Sequence, residues 1–411
     1  MAIFFHIDVN SAYLAWESLA RLKMGLSDLR DVTAVVGGDE ASRRGIVLSK
    51  SLSCKPFNIQ TGESLMEARK KCPTLVVAPA RYGVYEQYSE DMITWLHQFS
   101  DRVQQYSIDE AFIDYTHMER HFGSPLAAAD TIRNGIRETF GFTVCVGIGP
   151  NKLLAKMATE LRKPDFTNTL MADELEKMWV LPIEELFMAG RATSPKLRKL
   201  GIQTIGDLAR FDVKLLEPTF HSFAHTLWQY ANGIDDSKIE PHYAPTKSVG
   251  NSTTVPYDIK TAEDADRVLL HLCESVGKRL RQTHTAAKVL SVGIRNNDFV
   301  YYSHQRKMSI PTDNTTALYR LASQLFREVW KHEGVRQLGV RADKLCDSRI
   351  EQLTLFGQEE IDKQKKLDAS IDAIRTRFGD ASVMRASFLC KEDKRDHSLD
   401  KFSPFRQTGG L

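Results

Sequence analysis

Two adjacent carboxylates, Asp109 and Glu110, stand in the run Tyr106-Ser107-Ile108-Asp109-Glu110-Ala111-Phe112-Ile113-Asp114, whose apolar members Ile108, Ala111, Phe112 and Ile113 mark a buried strand. Charged carboxylates are rarely buried unless they are paired or hold a cation, so this run constrains the fold more than any other. Neighbouring side chains of a strand face opposite ways, so a site shared by both acids requires the backbone to bend there. The chain opens on the same oddity, Ile3-Phe4-Phe5-His6-Ile7-Asp8-Val9, an apolar strand interrupted by one aspartate. Three acids from two strands can share divalent cations, and two oxygen-liganded Mg²⁺ ions close together clamp an in-line displacement at phosphorus. On that reading Asp8 and Asp109 bridge, and Glu110 completes the site of the attacking hydroxyl. Plainer readings stand beside it: Asp8 as a strand-end cap for the helix that follows, and Asp109-Glu110 as an exposed strand end. The apolar flanks weigh against the second.

A chain of 411 residues predicts two to four domains, each with its own core. With 42% hydrophobic and 26% charged residues it reads as a globular protein. No apolar run approaches the ~18 residues of a membrane span, and no basic-then-apolar leader opens the chain, so a cytoplasmic protein without membrane association is expected. Cys54, Cys72, Cys145, Cys273, Cys346 and Cys390 form no C-x-x-C pair, which speaks for reduced thiols over a zinc knuckle or disulfide framework. The net charge of +2 hides an uneven distribution: residues 243–345 carry 16 Lys and Arg against 10 Asp and Glu. A basic module suits a polyanionic partner; a solvated basic surface explains the charge equally well.

Strands alternate with helices up to about residue 165, with acids on the central strands, which predicts an α+β sheet with helices on one face. Helices are expected over Ser11–Met24 (N-cap Asn10 or Ser11), Glu63–Cys72, Tyr85–Phe99, Pro125–Phe140 and Lys152–Leu161. Residues 172–232 read as short helices. A second α+β unit follows, with strands near Ser248–Val255, Lys288–Arg295 and Val300–Tyr302 and helices near Ala262–Arg281 and Thr315–Lys331.

Asp8 with Tyr13, the Ser107-Ile108-Asp109-Glu110 motif, the run from Gly147-Ile148-Gly149-Pro150-Asn151-Lys152 to Lys156, and Arg162-Lys163-Pro164 together resemble the Y-family translesion DNA polymerases, in their bacterial DNA polymerase IV (DinB/UmuC-like) branch. The resemblance runs in order from residue 1 to about 345. It implies a multidomain α+β right hand: a ferredoxin-like palm (1–10 and 78–165), small fingers (11–77), a helical thumb with a helix-hairpin-helix (166–235), a linker (236–246), an α+β little finger (247–345) and a C-terminal tail (346–411). It implies template-directed addition of dNTPs to a primer 3′-OH, with low fidelity and no proofreading, in DNA repair. Asp8, Asp109 and Glu110 then become metal ligands, with Glu110 beside the primer 3′-OH and Val9 offering only its backbone carbonyl. Tyr13 becomes the steric gate against a ribose 2′-OH; otherwise it is an aromatic on the buried face of a helix. Ser49, Lys55 and Lys163 would hold the triphosphate, and Gly190, Arg191, Lys196 and Lys247 would meet DNA phosphates.

The fingers depart from the family pattern, with Leu52 where a tyrosine and Lys55 where an arginine are usual, and Met188 replaces one hairpin glycine. Leucine cannot hydrogen-bond phosphate, and lysine lacks the bidentate fork of arginine. Gln352, Leu353, Leu355 and Phe356 resemble the peptide by which bacterial polymerases dock on the sliding clamp. The implied partners are primed template DNA, dNTPs and the clamp, with the chain a monomer. Two rivals are a diguanylate cyclase, imitated by Gly37-Gly38-Asp39-Glu40, and a DNA-binding accessory protein on a dead polymerase scaffold. The polar loop Ala41–Gly45 argues against the first and the intact acids against the second.

Overall fold

The structure is a computed structural model that describes residues 2–38, 45–240, 246–349 and 358–388. The described residues divide into two compact units, 2–38 with 45–240, and 246–349 with 358–388. The clamp-like residues Gln352, Leu353, Leu355 and Phe356 lie outside the described residues, as do Asp39 and Glu40.

Eight strands of the first unit are β1 (Phe4–Val9), β2 (Ala34–Gly37), β3 (Val47–Lys50), β4 (Val76–Pro79), β5 (Val103–Gln105), β6 (Glu110–Asp114), β7 (Val144–Gly149) and β8 (Thr167–Thr169). They form a five-stranded sheet in the order β5-β6-β1-β7-β8, antiparallel except for β7 with β8, and a small sheet β3-β2-β4. The helices over the same region are α1 (Ala12–Lys23), α2 (Leu65–Lys71), α3 (Tyr82–Leu96), α4 (Glu119–Phe122), α5 (Pro125–Phe140) and α6 (Lys152–Leu161).

Alternation along the strands decides what each face of the large sheet carries. Phe5, Ile7, Val9, Ala111, Ile113, Val144, Val146 and Ile148 point into one apolar core with Trp16 of α1, Met92 of α3 and Ile132 and Ile136 of α5. The opposite face carries His6 and Asp8, set in register against Phe112 and Glu110 on one side and Gly147 and Cys145 on the other. This face is not bare, as helices on one side alone would leave it, because α6 lies against it. Two glycines permit that approach: a Cβ on Gly147 would sit 2.0 Å from the Ala155 carbonyl oxygen, and one on Gly149 would sit 2.5 Å from the Ala155 nitrogen. Asn151 caps α6, its Oδ1 accepting from the Leu154 N–H at 2.8 Å.

A separate apolar cluster around Val35, Val47, Leu65 and Leu75 supports the small sheet. Another joins Leu153, Leu154, Met157 and Ala158 of α6 to the helices α7 (Glu176–Trp179), α8 (Ser194–Lys199), α9 (Ile205–Arg210), α10 (Val213–Phe220) and α11 (Phe223–Ala231). Met188, where the family pattern has glycine, holds a left-handed φ of 72°. That conformation favours glycine, so the turn keeps its shape against the preference of the side chain.

The second unit is built on a five-stranded antiparallel sheet whose main path runs β11-β10-β12-β9, from β9 (Ser248–Ile259), β10 (Thr285–Asn296), β11 (Tyr301–Thr312) and β12 (Val335–Asp343). Its core gathers α12 (Ala262–Gln282) and α13 (Thr315–Val329) with the sheet. Sequence pattern missed β12, which a register shift between Val335 and Gln337 breaks up, and cut β11 short because this edge strand is mostly polar and exposed. The short strand β13 (Cys346–Asp347) pairs with β10. Beyond it, α14 (Gln358–Phe378) is bound to this unit through buried charges. Asp368 accepts from Asn314 Nδ2 at 2.8 Å and from the Thr315 N–H at 3.0 Å, and Glu274 pairs with Arg375 at 3.1 Å and Arg385 at 2.6 Å.

Candidate active site

The bend that two usable adjacent acids require is present. Residues 107–109 leave the extended path, and β6 begins only at Glu110. Asp109 is held in that bend: Ser107 Oγ donates to its Oδ1 at 2.6 Å, and its carbonyl accepts the Val9 N–H at 3.0 Å. Asp8 and Glu110 are direct partners across β1 and β6, so their side chains share a face. The Val9 side chain is buried in the apolar core, which leaves only its backbone to serve a site.

Two lysines sit on these carboxylates. Lys163 Nζ donates to Asp8 Oδ2 at 2.5 Å, and Lys156 Nζ of α6 donates to Glu110 Oε1 at 2.5 Å. Burial pushes the Asp8 carboxyl up to about 6 against the pull of Lys163, with the neighbouring charge of Glu110 adding to the rise. Burial also works to lower the Lys163 ammonium, but Asp8 and then Glu160 overcome it and raise it above the usual lysine range. Behind them His6 is fully buried: its Nδ1 is 2.9 Å from Thr159 Oγ1 and its Nε2 lies 3.8 Å from Glu110 Oε1. Burial, with the charges of Lys156 and Lys163, holds that imidazole well below its ordinary range, hence neutral.

These carboxylates fit a divalent cation, since each of the two that face one another already draws a cationic group into place. Among the described residues no three His, Cys, Asp or Glu form a ready-made ligand group.

Tyr13 lies half-buried in the first turn of α1, where burial and then the Asp109 charge raise its hydroxyl above the ordinary tyrosine range. Ser11 takes the N-cap position, one of the two expected, with φ 51° and without a side-chain cap bond. Its carbonyl instead accepts from Ser49 Oγ at 3.2 Å, so that hydroxyl is engaged near α1. Lys55 is exposed, and Leu52 opens the same 3₁₀ turn (Leu52–Phe57) with 54% of its surface exposed. Gly190, Arg191 and Lys196 gather at the start of α8, the two cations exposed, whereas Arg198 is paired with Glu184 at 2.6 Å. Lys247 is exposed just before β9 in the other unit.

His6, Lys156 and Thr159 escaped sequence reasoning as site residues. The signal for His6 was its period-two spacing from Asp8. Lys156 had none beyond its place in the glycine motif, because only the register of α6 on the sheet brings it to Glu110.

Two family models match the chain: the impB/mucB/samB family over residues 7–160, and the impB/mucB/samB family C-terminal domain over residues 246–355. A DNA polymerase IV of Clostridium acetobutylicum is 43% identical over 394 residues, covering 95% of this chain and 99% of that protein. The DNA polymerase IV of Pelotomaculum thermopropionicum is 38% identical, covering 93% and 94%, and DNA polymerase IV 2 of Bacillus subtilis is 34% identical, covering 94% of each. Among solved structures, the Y-family DNA polymerase chimera Dbh-Dpo4(243-245)-Dbh matches in fold with a TM-score of 0.73 at 24% identity, over 83% of this chain and 98% of that one. The class these features define is the Y-family polymerase fold. The chain belongs to the impB/mucB/samB family, in its DNA polymerase IV branch, and is a DNA-directed DNA polymerase of the translesion type. A divalent metal, primed DNA and dNTPs follow from that membership, and among the described residues no helix is long and apolar enough to cross a membrane.

Proposed function

We propose that Asp8, Asp109 and Glu110, with the Val9 carbonyl, hold two Mg²⁺ ions and that the chain extends a primer 3′-OH with dNTPs, without proofreading. When bound, the two ions supply activation of the 3′-hydroxyl and neutralisation of charge on the reacting phosphates. The observation that carries this reading is the pairing of Asp8 with Glu110 in register, each carboxylate bearing a lysine ammonium. Lys163 exchanges Asp8 for the incoming triphosphate, a more highly charged partner, and Ser49 and Lys55 assist from the fingers. Tyr13 bars the ribose 2′-OH. Gly190, Arg191 and Lys196 in the thumb and Lys247 in the little finger meet DNA phosphates, contacts that weaken with salt. The domain limits above, a clamp contact through Gln352, Leu353, Leu355 and Phe356, a monomeric state and a cytoplasmic setting belong to the same reading.

Primer extension on a primed template with Mg²⁺ and dNTPs tests it, wild type beside Asp109→Ala. We expect synthesis by the wild type and a loss of at least about 10³-fold in the variant, the several kcal/mol that a metal site contributes to the transition state. Full activity in the variant would remove Asp109 from the site.

A further inference from the structure

Tyr13 does not stand alone. Its ring lies on that of Tyr85, with centroids 5.1 Å apart and planes at 20°, and meets the edge of Tyr82 at 6.1 Å. Tyr85 is fully buried in α3, and its hydroxyl donates to Glu17 Oε2 at 2.8 Å. Glu17 lies on α1 four residues beyond Tyr13, hence on the same helical face, and is only 2% exposed. Arg81, the residue before α3, grips both of its oxygens: Nε donates to Oε2 at 3.0 Å and Nη2 to Oε1 at 2.9 Å. A buried ion pair contributes little net stability compared with apolar packing of the same shape. What it does contribute is direction, because a planar two-point grip permits one geometry.

We propose that Glu17 and Arg81 are positioning residues for sugar selection, acting through Tyr85 to fix the height and tilt of the Tyr13 ring. This rests on the reading of Tyr13 as the steric gate. A gate that works by contact is sensitive to displacements of a few tenths of an ångström, since repulsion between atoms rises steeply and a well-packed neighbour transmits its own shift. The hydroxyl of Tyr85 is the one polar handle that stops its ring from sliding or rocking under Tyr13. With that handle free, the Tyr13 edge yields to a 2′-OH. A contribution to stability alone would leave the choice between sugars untouched.

The test is single-nucleotide insertion by the full chain on primed DNA, comparing kcat/KM for a dNTP and for its matching rNTP. Tyr85→Phe, which removes one oxygen and keeps the stack, and Glu17→Gln are each expected to lower the dNTP-over-rNTP ratio about 10-fold, the scale at which pocket shape discriminates. Arg81→Lys should restore part of what Arg81→Ala loses. Tyr85→Phe made in a Tyr13→Ala background should lower the ratio no further, because the two changes act on one ring. Wild-type ratios in Tyr85→Phe and Glu17→Gln, with the ratio lost in Tyr13→Ala, would overturn the proposal and leave the gate standing. A wild-type ratio in Tyr13→Ala would overturn the gate, and the proposal with it. If Glu17→Gln does not fold, Tyr85→Phe and the double variant decide the question.

Discussion

Leu52 is a surface leucine at the start of a 3₁₀ turn, 54% exposed, in a place where the family's pattern has a phosphate-binding tyrosine. It packs into no core, so replacing it leaves the fingers intact and isolates its effect on nucleotide binding. Leu52→Tyr is expected to lower the KM for dNTP by about 5-fold, the ~1 kcal/mol of one added hydrogen bond. Steady-state insertion kinetics read this directly, and an unchanged KM would show that Leu52 lies away from the phosphates. At this scale the oddity of the acids was legible in the sequence, because a carboxylate in an apolar strand is anomalous wherever it sits, whereas Tyr13 was singled out by the family resemblance alone. His6 and Lys156 were not, since a buried neutral imidazole and an ordinary helix lysine acquire meaning only from what lies opposite them in space.

Helix α6 is the element on which the site turns, for it carries Lys156 to Glu110 and Thr159 to His6. Its closeness to β7 rests on the missing side chain of Gly147, where a Cβ would fall 2.0 Å from the Ala155 carbonyl. Gly147→Ala should therefore cost roughly 3 kcal/mol or more, as severe overpacking does, and lower the melting temperature and the polymerase activity together. A variant that melts like the wild type would mean that α6 stands off the sheet. Both limits of α5 and the start of α6 could be read from sequence because capping and turn residues mark them: Ser124 and Gly141 for α5, Asn151 for α6. Edge strand β11 and bulged β12 could not, since one has little apolar face to alternate and the other has its alternation interrupted.

Across the whole molecule, apolar cores gather around the large sheet, the small sheet, the short helices with α6, and the second unit. The attachment of α14 was hidden, because acids and arginines on a charged amphipathic helix look like a solvated face until Asp368 is seen buried against Asn314 and Thr315, and Arg375 against Glu274 of α12. The lysines on Asp8 and Glu110 have a consequence for the protein as a thermodynamic system. Where a metal is the sole counter-charge of buried acids, binding it is part of folding, and chelation unfolds the protein. Here Lys163 and Lys156 already serve as counter-ions, so the chain can fold before it is loaded. Thermal melts with excess EDTA and with Mg²⁺ should agree to within about 2 °C, on the order of 1–2 kcal/mol for a chain of this size, while chelation abolishes primer extension. A melting temperature that falls by many degrees in EDTA would show that the ammonium groups do not balance the site. With melts that agree, metal supply governs when this polymerase works without deciding whether it survives, and an unloaded copy waits in the cell as a folded reserve.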